Sequence, residues 1–216
     1  MLFRSGGINY KYFQYDHVNI NTKRQIGSTF KPFIYTVAIR DKGYSPCFRV
    51  PNQPVTFEAG DPRFGLLQDW TPKNSDGKYG GTLSLKQALA NSINTVTAYL
   101  MHEMTPDAVI QLVRGMGMKS DIPPSPSICL GSADISLYEM VGAYTTYANK
   151  GVYVEPIFVT RIEDRNGNVL QDFVAKRNEA LDEQTAYVMV EILRNVVQGG
   201  TATRLRYRFK LMNDIF

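Results

Sequence analysis

The chain has 216 residues, 44% of them hydrophobic and 20% charged, a composition that fits one folded globular domain and excludes a disordered chain. Its net charge of +4 is too small and too dispersed to indicate a nucleic-acid-binding protein. No apolar run approaches the roughly 18 residues of a membrane span, and the first residues lack the apolar core of a signal peptide. We therefore expect any anchor or export signal to lie outside this chain.

The first predicted elements are a strand region and a helix. Residues 8–20 alternate and are rich in aromatic side chains, which predicts one or two strands ending before Asn21. Apolar residues then recur with helical spacing, at Phe30, Phe33, Ile34, Val37 and Ala38. We expect a core helix with one buried face that ends near Gly43.

Ser28 and Lys31 lie at the start of this helix, in the sequence Gly-Ser-Thr-Phe-Lys-Pro at 27–32. Unpaired N–H groups and the helix dipole favour developing negative charge at Ser28. Lys31 lies one turn further along the same side between two phenylalanines, and burial there should lower the pKa of its amine. A serine beside a partly deprotonated amine is an activated nucleophile. The alternative is an N-cap serine followed by a solvated lysine.

A second candidate site follows a long irregular connection. Residues 44–81 are rich in Pro, Gly, Asp and Asn, and Trp70 is expected either in the core or lining a cleft. Ser84 opens a helix with a capping box. The polar residues Ser92 and Asn94 then interrupt two buried helical segments. Either Ser92 caps the next helix while Asn94 satisfies loop carbonyls, or Ser92 shuttles a proton while Asn94 fixes a substrate carbonyl or the lysine.

The rest of the chain predicts further helices and then strands. A helix opens at Pro106 and closes at Gly115 and Gly117, and a Pro/Ser loop follows over 120–133. A second capping box at Ser136 and Glu139 opens a helix that runs to about Asn149. After it come a hairpin of 154–163 and 169–174 around Asn166-Gly167, a helix from Asp182 to Gln198, and a strand over 204–211. This order predicts an α+β fold with a helical subregion inserted between the sheet portions.

Cysteine and histidine form no recognisable site. Cys47 and Cys129 lack the spacing of metal or redox motifs and form either one bridge or two separate thiols. His17 and His102 are the only histidines, and no Gly-x-Ser-x-Gly turn occurs, which disfavours a Ser-His-Asp hydrolase. His102 and the following glutamate lack the second histidine of a zinc site.

The motifs Ser-x-x-Lys at 28–31 and Ser-x-Asn at 92–94 resemble the first two active-site motifs of penicillin-binding proteins. Segments 70–74, 130–132 and 144–151 also match, in type and order, the transpeptidase half of the bifunctional class A enzymes. The resemblance covers nearly the whole chain. It implies a serine β-lactamase/transpeptidase-like fold, with an antiparallel sheet and a large helical subregion.

The resemblance implies a serine D,D-transpeptidase that cross-links peptidoglycan. Ser28 would attack the penultimate D-alanine carbonyl of a stem peptide ending in D-Ala-D-Ala, and Lys31 would take the serine proton. Ser92 would help return a proton to the leaving amine, and Asn94 would position the donor peptide. A neighbouring stem's amine would accept the acyl group, and β-lactams would acylate Ser28 as mimics of the donor. Neither a metal nor a cofactor is implied, and no nucleic acid is expected as a partner.

The third motif of that family, Lys-Thr-Gly on an inner strand, does not occur in this sequence. In the family this strand supplies a cation for the substrate carboxylate and one N–H of the oxyanion hole. We expect residues 1–216 to be a partial transpeptidase domain, with the last strands, an upstream glycosyltransferase domain and a membrane anchor outside this chain. The parent protein is expected at the periplasmic face of the bacterial cytoplasmic membrane, and residues 1–216 alone are expected to have weak or no activity.

Other activities could use the same residues. A D,D-carboxypeptidase would use water as the acceptor, and no residue here separates it from a transpeptidase. A β-lactamase is disfavoured because no glutamate motif for deacylation is evident. A non-catalytic penicillin-binding sensor would be acylated without turnover, and a truncated scaffold is the remaining alternative.

Overall fold

Seven α-helices supply most of the regular structure in residues 16–213, the part of the chain that the computed structural model describes. They are α1 (Lys31–Lys42), α2 (Leu85–Ala90), α3 (Asn94–Glu103), α4 (Pro106–Gly115), α5 (Leu137–Ala148), α6 (Glu183–Gly199) and α7 (Arg204–Tyr207). Two 3-10 turns, Gly27–Phe30 and Pro126–Leu130, stand beside the helices. None of the helices in this range is long and apolar enough to cross a membrane.

The strands are short and pair two by two. They are β1 (Lys23–Gln25), β2 (Arg49–Pro51), β3 (Thr82–Ser84), β4 (Asp134–Ser136), β5 (Val152–Val154), β6 (Arg161–Glu163), β7 (Val169–Asp172) and β8 (Arg177–Glu179). The antiparallel pairs are β1 with β4, β2 with β3, β5 with β8, and β6 with β7. In the first pair Lys23 lies opposite Ser136, so β4 runs beside the segment that leads into Ser28. The α+β class is confirmed, with the sheet content of the described residues divided among these four pairs.

Helix α1 lies at the centre of the core and packs against α3, α4 and α6. Every residue from 31 to 38 is buried, so the expectation of a single buried face is wrong. The polar Thr36 is tolerated inside because its hydroxyl donates to the Pro32 carbonyl (2.8 Å) and lies 2.8 Å from the Tyr147 hydroxyl. Gly43 ends the helix in the left-handed conformation at φ 66°, as predicted.

The predicted capping boxes are confirmed. Ser84 Oγ accepts from the Gln87 N–H at the start of α2, and Ser136 Oγ accepts from the Glu139 N–H at the start of α5. Glu139 also accepts from the Lys119 N–H (2.8 Å) and the Ser120 N–H (2.7 Å). Burial raises the pKa of this carboxyl, but hydrogen bonds from the Ser120 and Ser136 hydroxyls and from the two N–H groups lower it to about 2. The carboxylate therefore ties residues 119–120 to the start of α5.

Four sequence predictions need correction or restriction. Residues 204–211 are not a strand: Arg204–Tyr207 forms α7, in which the Arg208 N–H donates to the Arg204 carbonyl at 2.9 Å. Alternating polar and apolar residues form a strand only where a second strand can pair with them. In this segment, hydrogen bonds within the helical turn satisfy the backbone N–H and C=O groups instead. The loop 120–133 contains a 3-10 turn, and the hairpin pairs only β6 with β7. Of the strand region predicted at 8–20, residues 8–15 lie outside the described part, and residues 16–20 form turns and not a strand.

Candidate active site

Ser28 sits in a 3-10 turn directly before α1. The backbone N–H of Lys31 donates to the Ser28 carbonyl, and side chains three residues apart eclipse one another in this geometry. Ser28 is exposed, whereas Lys31 has no exposed surface. The turn thus places an exposed serine three residues before a buried lysine.

The turn is held from outside by backbone bonds and one tyrosine. Gly27, at φ 56°, donates its N–H to the Gly131 carbonyl at 3.0 Å. A Cβ built on Gly131 would overlap the carbonyl oxygen of Gly27, so this contact requires glycine. From α5, the Tyr144 hydroxyl donates to the Thr29 carbonyl at 2.6 Å. Residues on both sides of Ser28 are therefore fixed by distant parts of the chain.

The Lys31 Nζ contacts three oxygen atoms from the second motif. It donates to the Ser92 carbonyl (2.6 Å), the Ser92 Oγ (3.0 Å) and the Asn94 Oδ1 (2.6 Å). Of the two contacts considered for Asn94, the one with the lysine is present. The Ser28 hydroxyl takes no part in these three bonds. The alternative of a solvated lysine is wrong.

Burial changes the acid–base behaviour of this lysine. It lowers the pKa of Lys31 from its usual 10.5 to about 8, and the neighbouring Cys129 opposes the change. Burial likewise raises the pKa of the Cys129 thiol to about 12. At pH 7 about a tenth of the Lys31 amines are therefore uncharged, while Cys129 stays a thiol. Lys31 can accept a proton in this range, which an ordinary lysine does rarely.

Ser92 adopts an uncommon backbone conformation, with φ 55°. It lies just past α2, where its N–H donates to the Leu89 carbonyl (3.0 Å) and the Ile93 N–H donates to the Ala88 carbonyl (2.9 Å). These two bonds form a Schellman motif, whose left-handed position is usually glycine. A serine there turns its hydroxyl and its carbonyl toward the same Lys31 nitrogen. One part of the alternative is wrong, because Ile93 and not Ser92 is the N-cap residue of α3. The other part is confirmed, because Asn94 donates to a loop carbonyl, that of Lys73.

Asn94 is the first residue of α3 and joins the lysine to the 44–81 segment. Its Oδ1 accepts from Lys31, and its Nδ2 donates to the Lys73 carbonyl at 2.7 Å. Its backbone N–H donates to the Asn74 Oδ1 at 3.0 Å. Sequence reasoning found Asn94 but assigned no role to Asn74, although Asn74 is the last residue of segment 70–74, one of the segments that carry the family resemblance.

Other sequence candidates lie elsewhere. Cys47 is exposed and Cys129 is buried, and both are free thiols. Trp70 is half-buried and packs on Phe57 with ring centres 5.3 Å apart, so it belongs to the edge of the core.

A largely apolar groove of about 630 Å³ runs beside the Ser28 turn. It is lined by Ile26, Thr29, Ile135, Met140, Val141 and Tyr144 among others, and none of the four candidate site residues faces it.

Comparison with known proteins identifies relatives of this chain. The model of the penicillin binding protein transpeptidase domain matches residues 5–211. Penicillin-binding protein 1A from Neisseria gonorrhoeae is 35% identical over 189 residues, which cover 85% of this chain and 23% of that protein. This chain thus spans about a quarter of the length of such relatives.

Solved structures with the same fold include Penicillin-Binding Protein 1A from Haemophilus influenzae, with a TM-score of 0.81 and 22% identity over 94% of this chain and 35% of that one. The penicillin-binding protein PonA1 from Mycobacterium tuberculosis, solved in complex with penicillin V, gives a TM-score of 0.70 and 25% identity over 85% of this chain and 49% of that one. The serine transpeptidase-like fold expected from the sequence is confirmed.

Proposed function

The chain belongs to the penicillin-binding protein transpeptidase family, and on that premise we propose that it carries the acylation site of a peptidoglycan D,D-transpeptidase. One observation supports this function above the others. Lys31 is fully buried, one 3-10 turn from an exposed serine, with its amine held by Ser92 and Asn94. This arrangement supplies a nucleophile, a base and a proton path in one place.

Acylation begins with the neutral form of Lys31. The Ser28 Oγ attacks the penultimate D-alanine carbonyl of a stem peptide, and the Ser28 proton passes to the Lys31 Nζ. Because burial lowers the pKa of Lys31 to about 8, the neutral amine is available near physiological pH. The charge that develops on the carbonyl oxygen needs oxyanion-hole donors, one of which the family's Lys-Thr-Gly strand would supply.

The leaving group then needs a proton. In the tetrahedral intermediate the C–N bond to the terminal D-alanine breaks, and the leaving amine takes a proton through the Ser92 hydroxyl, which Lys31 replenishes. The Ser92 Oγ suits this role because it lies 3.0 Å from the Lys31 Nζ and can both donate and accept. An amine from a second stem peptide attacks the acyl-enzyme, gives up its proton by the reverse path, and releases Ser28.

Asn94 has two tasks in this scheme. Its Oδ1 holds the Lys31 amine, and its Nδ2, which donates one N–H to the Lys73 carbonyl, would use the other N–H to position the donor peptide. β-Lactams would acylate Ser28 as analogues of the donor, as the penicillin V complex of PonA1 suggests for a relative. Asn94 thus positions both the base and the donor.

The remaining expectations concern the whole protein. We propose that residues 1–216 are part of one transpeptidase domain, since the family model matches 5–211 and the chain spans about a quarter of its relatives. A protein of this family that cross-links peptidoglycan would act at the periplasmic face of the cytoplasmic membrane. We also propose that it is membrane-anchored and carries a glycosyltransferase domain.

A transfer assay tests this function. The natural full-length protein is incubated with a donor peptide ending in D-Ala-D-Ala and a peptide amine as acceptor, and the products are identified by mass spectrometry. The proposal predicts free D-alanine together with the joined peptide, and loss of both products in Ser28→Ala. Hydrolysed donor without joined peptide would instead identify a D,D-carboxypeptidase. Acylation by penicillin with no peptide product would identify a sensor.

A further inference from the structure

Helix α3 begins without a cap of its own. Its N-cap residue, Ile93, has no side-chain acceptor for the unpaired N–H groups of the first turn. The Asn74 Oδ1 fills this place from the 44–81 segment, accepting from the Asn94 N–H (3.0 Å) and the Thr95 N–H (3.1 Å). The cap of the helix that carries Asn94 therefore comes from a residue 20 positions earlier.

The orientation of the Asn74 amide is fixed by its partners. Both N–H groups at the start of α3 are donors, so they must meet the oxygen of the amide. The Asn74 Nδ2 in turn donates to the Asn52 Oδ1 and to the Lys78 carbonyl, each at 2.8 Å. Two bonds accepted and two donated satisfy the amide completely, and the residue is only 6% exposed.

Asn52 anchors this amide to the rest of the segment. Its Oδ1 also accepts from the Thr95 Oγ at 2.7 Å, so it touches both Asn74 and α3. Its own backbone is pinned, because its N–H donates to the Gly81 carbonyl (3.0 Å) and its carbonyl accepts from the Gly80 N–H (2.8 Å). The 44–81 connection is irregular in sequence but firmly bonded at this point.

The neighbouring residue fixes the Asn94 side chain. The Lys73 carbonyl accepts from the Asn94 Nδ2 at 2.7 Å, which leaves the Oδ1 to face the Lys31 Nζ at 2.6 Å. Lys73 therefore holds the side chain of Asn94, while Asn74 holds its backbone.

We propose that Asn74 is a positioning residue of the acylation site: through α3 it sets the place of Asn94, and through Asn94 that of the Lys31 amine. The inference rests on the proposed function of Ser28, Lys31 and Ser92. Loss of the Asn74 side chain would free the first turn of α3 and shift the Asn94 Oδ1 relative to Lys31. A misplacement of about 1 Å in such a site costs on the order of 100-fold in rate.

The experiment measures the rate of Ser28 acylation by a fluorescent penicillin in the natural full-length protein, together with thermal unfolding. Asn74→Ala is compared with Asp182→Ala, a matched control that removes the N-terminal cap of α6, a helix without a site residue. We expect both variants to unfold at lower temperature, but only Asn74→Ala to acylate about 10- to 100-fold more slowly.

A third variant separates positioning from folding. Asn74→Asp keeps an oxygen for the two α3 N–H groups but loses the donors to Asn52 and Lys78, so it should be no more stable than Asn74→Ala yet acylate faster. The proposal is overturned if Asn74→Ala acylates within about twofold of Asp182→Ala, or if Asn74→Asp is as slow as Asn74→Ala. If the wild-type protein is not acylated at all, the proposed function fails instead.

Discussion

Lys31 combines two properties that seldom occur together in a lysine: no exposed surface, and an amine within 3.0 Å of three oxygen atoms. Burial disfavours the ammonium form, whereas three acceptors stabilise it. Burial lowers the pKa of Lys31 to about 8 against the opposing effect of Cys129. In the neutral state the lone pair needs a donor, and the Ser92 hydroxyl is the only one of the three partner groups that can donate.

This balance predicts the pH dependence of acylation. As the pH rises through about 8, the fraction of neutral Lys31 increases, so the acylation rate should rise and then level off. Lys31→Arg stays protonated throughout and should acylate at least about 100-fold more slowly with no such rise. Stopped-flow measurements with a fluorescent penicillin from pH 6 to pH 10 provide the test. If Lys31→Arg is acylated at a rate near that of the wild type, Lys31 is not the general base.

Ser92 occupies a position where the fold alone would favour glycine. At φ 55° a residue with a Cβ is strained by roughly 1 kcal/mol, and the Schellman motif around it accepts glycine without strain. The strain is tolerated at a place where both the hydroxyl and the carbonyl bind Lys31.

Two substitutions separate the stability and the chemistry of Ser92. Ser92→Gly and Ser92→Ala both remove the hydroxyl and should both slow acylation. Ser92→Gly should exceed Ser92→Ala in free energy of unfolding by about 1 kcal/mol, because only glycine relieves the positive φ. Chemical denaturation and acylation assays measure the two effects. Equal or greater stability of Ser92→Ala would show that the backbone there is not strained.

At the scale of elements, the Ser28 turn depends on segments far away in sequence. The residues before Ser28 pair with the 131–136 segment, and Tyr144 of α5 bonds to the turn from another side. The sequence predicts that this segment is helical and ends at Gly43, because the helical spacing and the glycine stop are local signals, although the helix is buried on all sides. It does not predict that Gly131 touches Gly27, because nothing local to either glycine encodes the other.

Gly131→Ala tests this contact. The added methyl group would overlap the Gly27 carbonyl and also meet a positive φ of 75°, so the turn must shift. Gly167→Ala is the matched control, since it has a similar φ of 83° but no atom within 4 Å of the added Cβ. We expect Gly131→Ala to be less stable than Gly167→Ala by at least about 1 kcal/mol and to acylate more slowly. Equal behaviour of the two variants in thermal unfolding and acylation assays would refute the contact's role.

Across the whole molecule, the sequence predicts helices whose ends are marked by neighbouring residues. It does not predict structure that depends on contacts with residues far away in the chain. Capping boxes predict α2 and α5, because each signal lies within four residues. Segment 204–211 was mispredicted because strand formation depends on a neighbour that the sequence does not reveal. The candidate site residues Lys31, Ser92 and Asn94 could be found from their motifs. Asn74 could not, because its function depends on a contact with α3.

The central claim is that Ser28 becomes covalently acylated. The most direct measurement treats the natural full-length protein with a penicillin, digests it, and locates the adduct by mass spectrometry, with Ser28→Ala as the control. The account predicts one adduct per molecule on the peptide that contains Ser28, and none in Ser28→Ala. An adduct on any other residue, or undiminished labelling of Ser28→Ala, would contradict it.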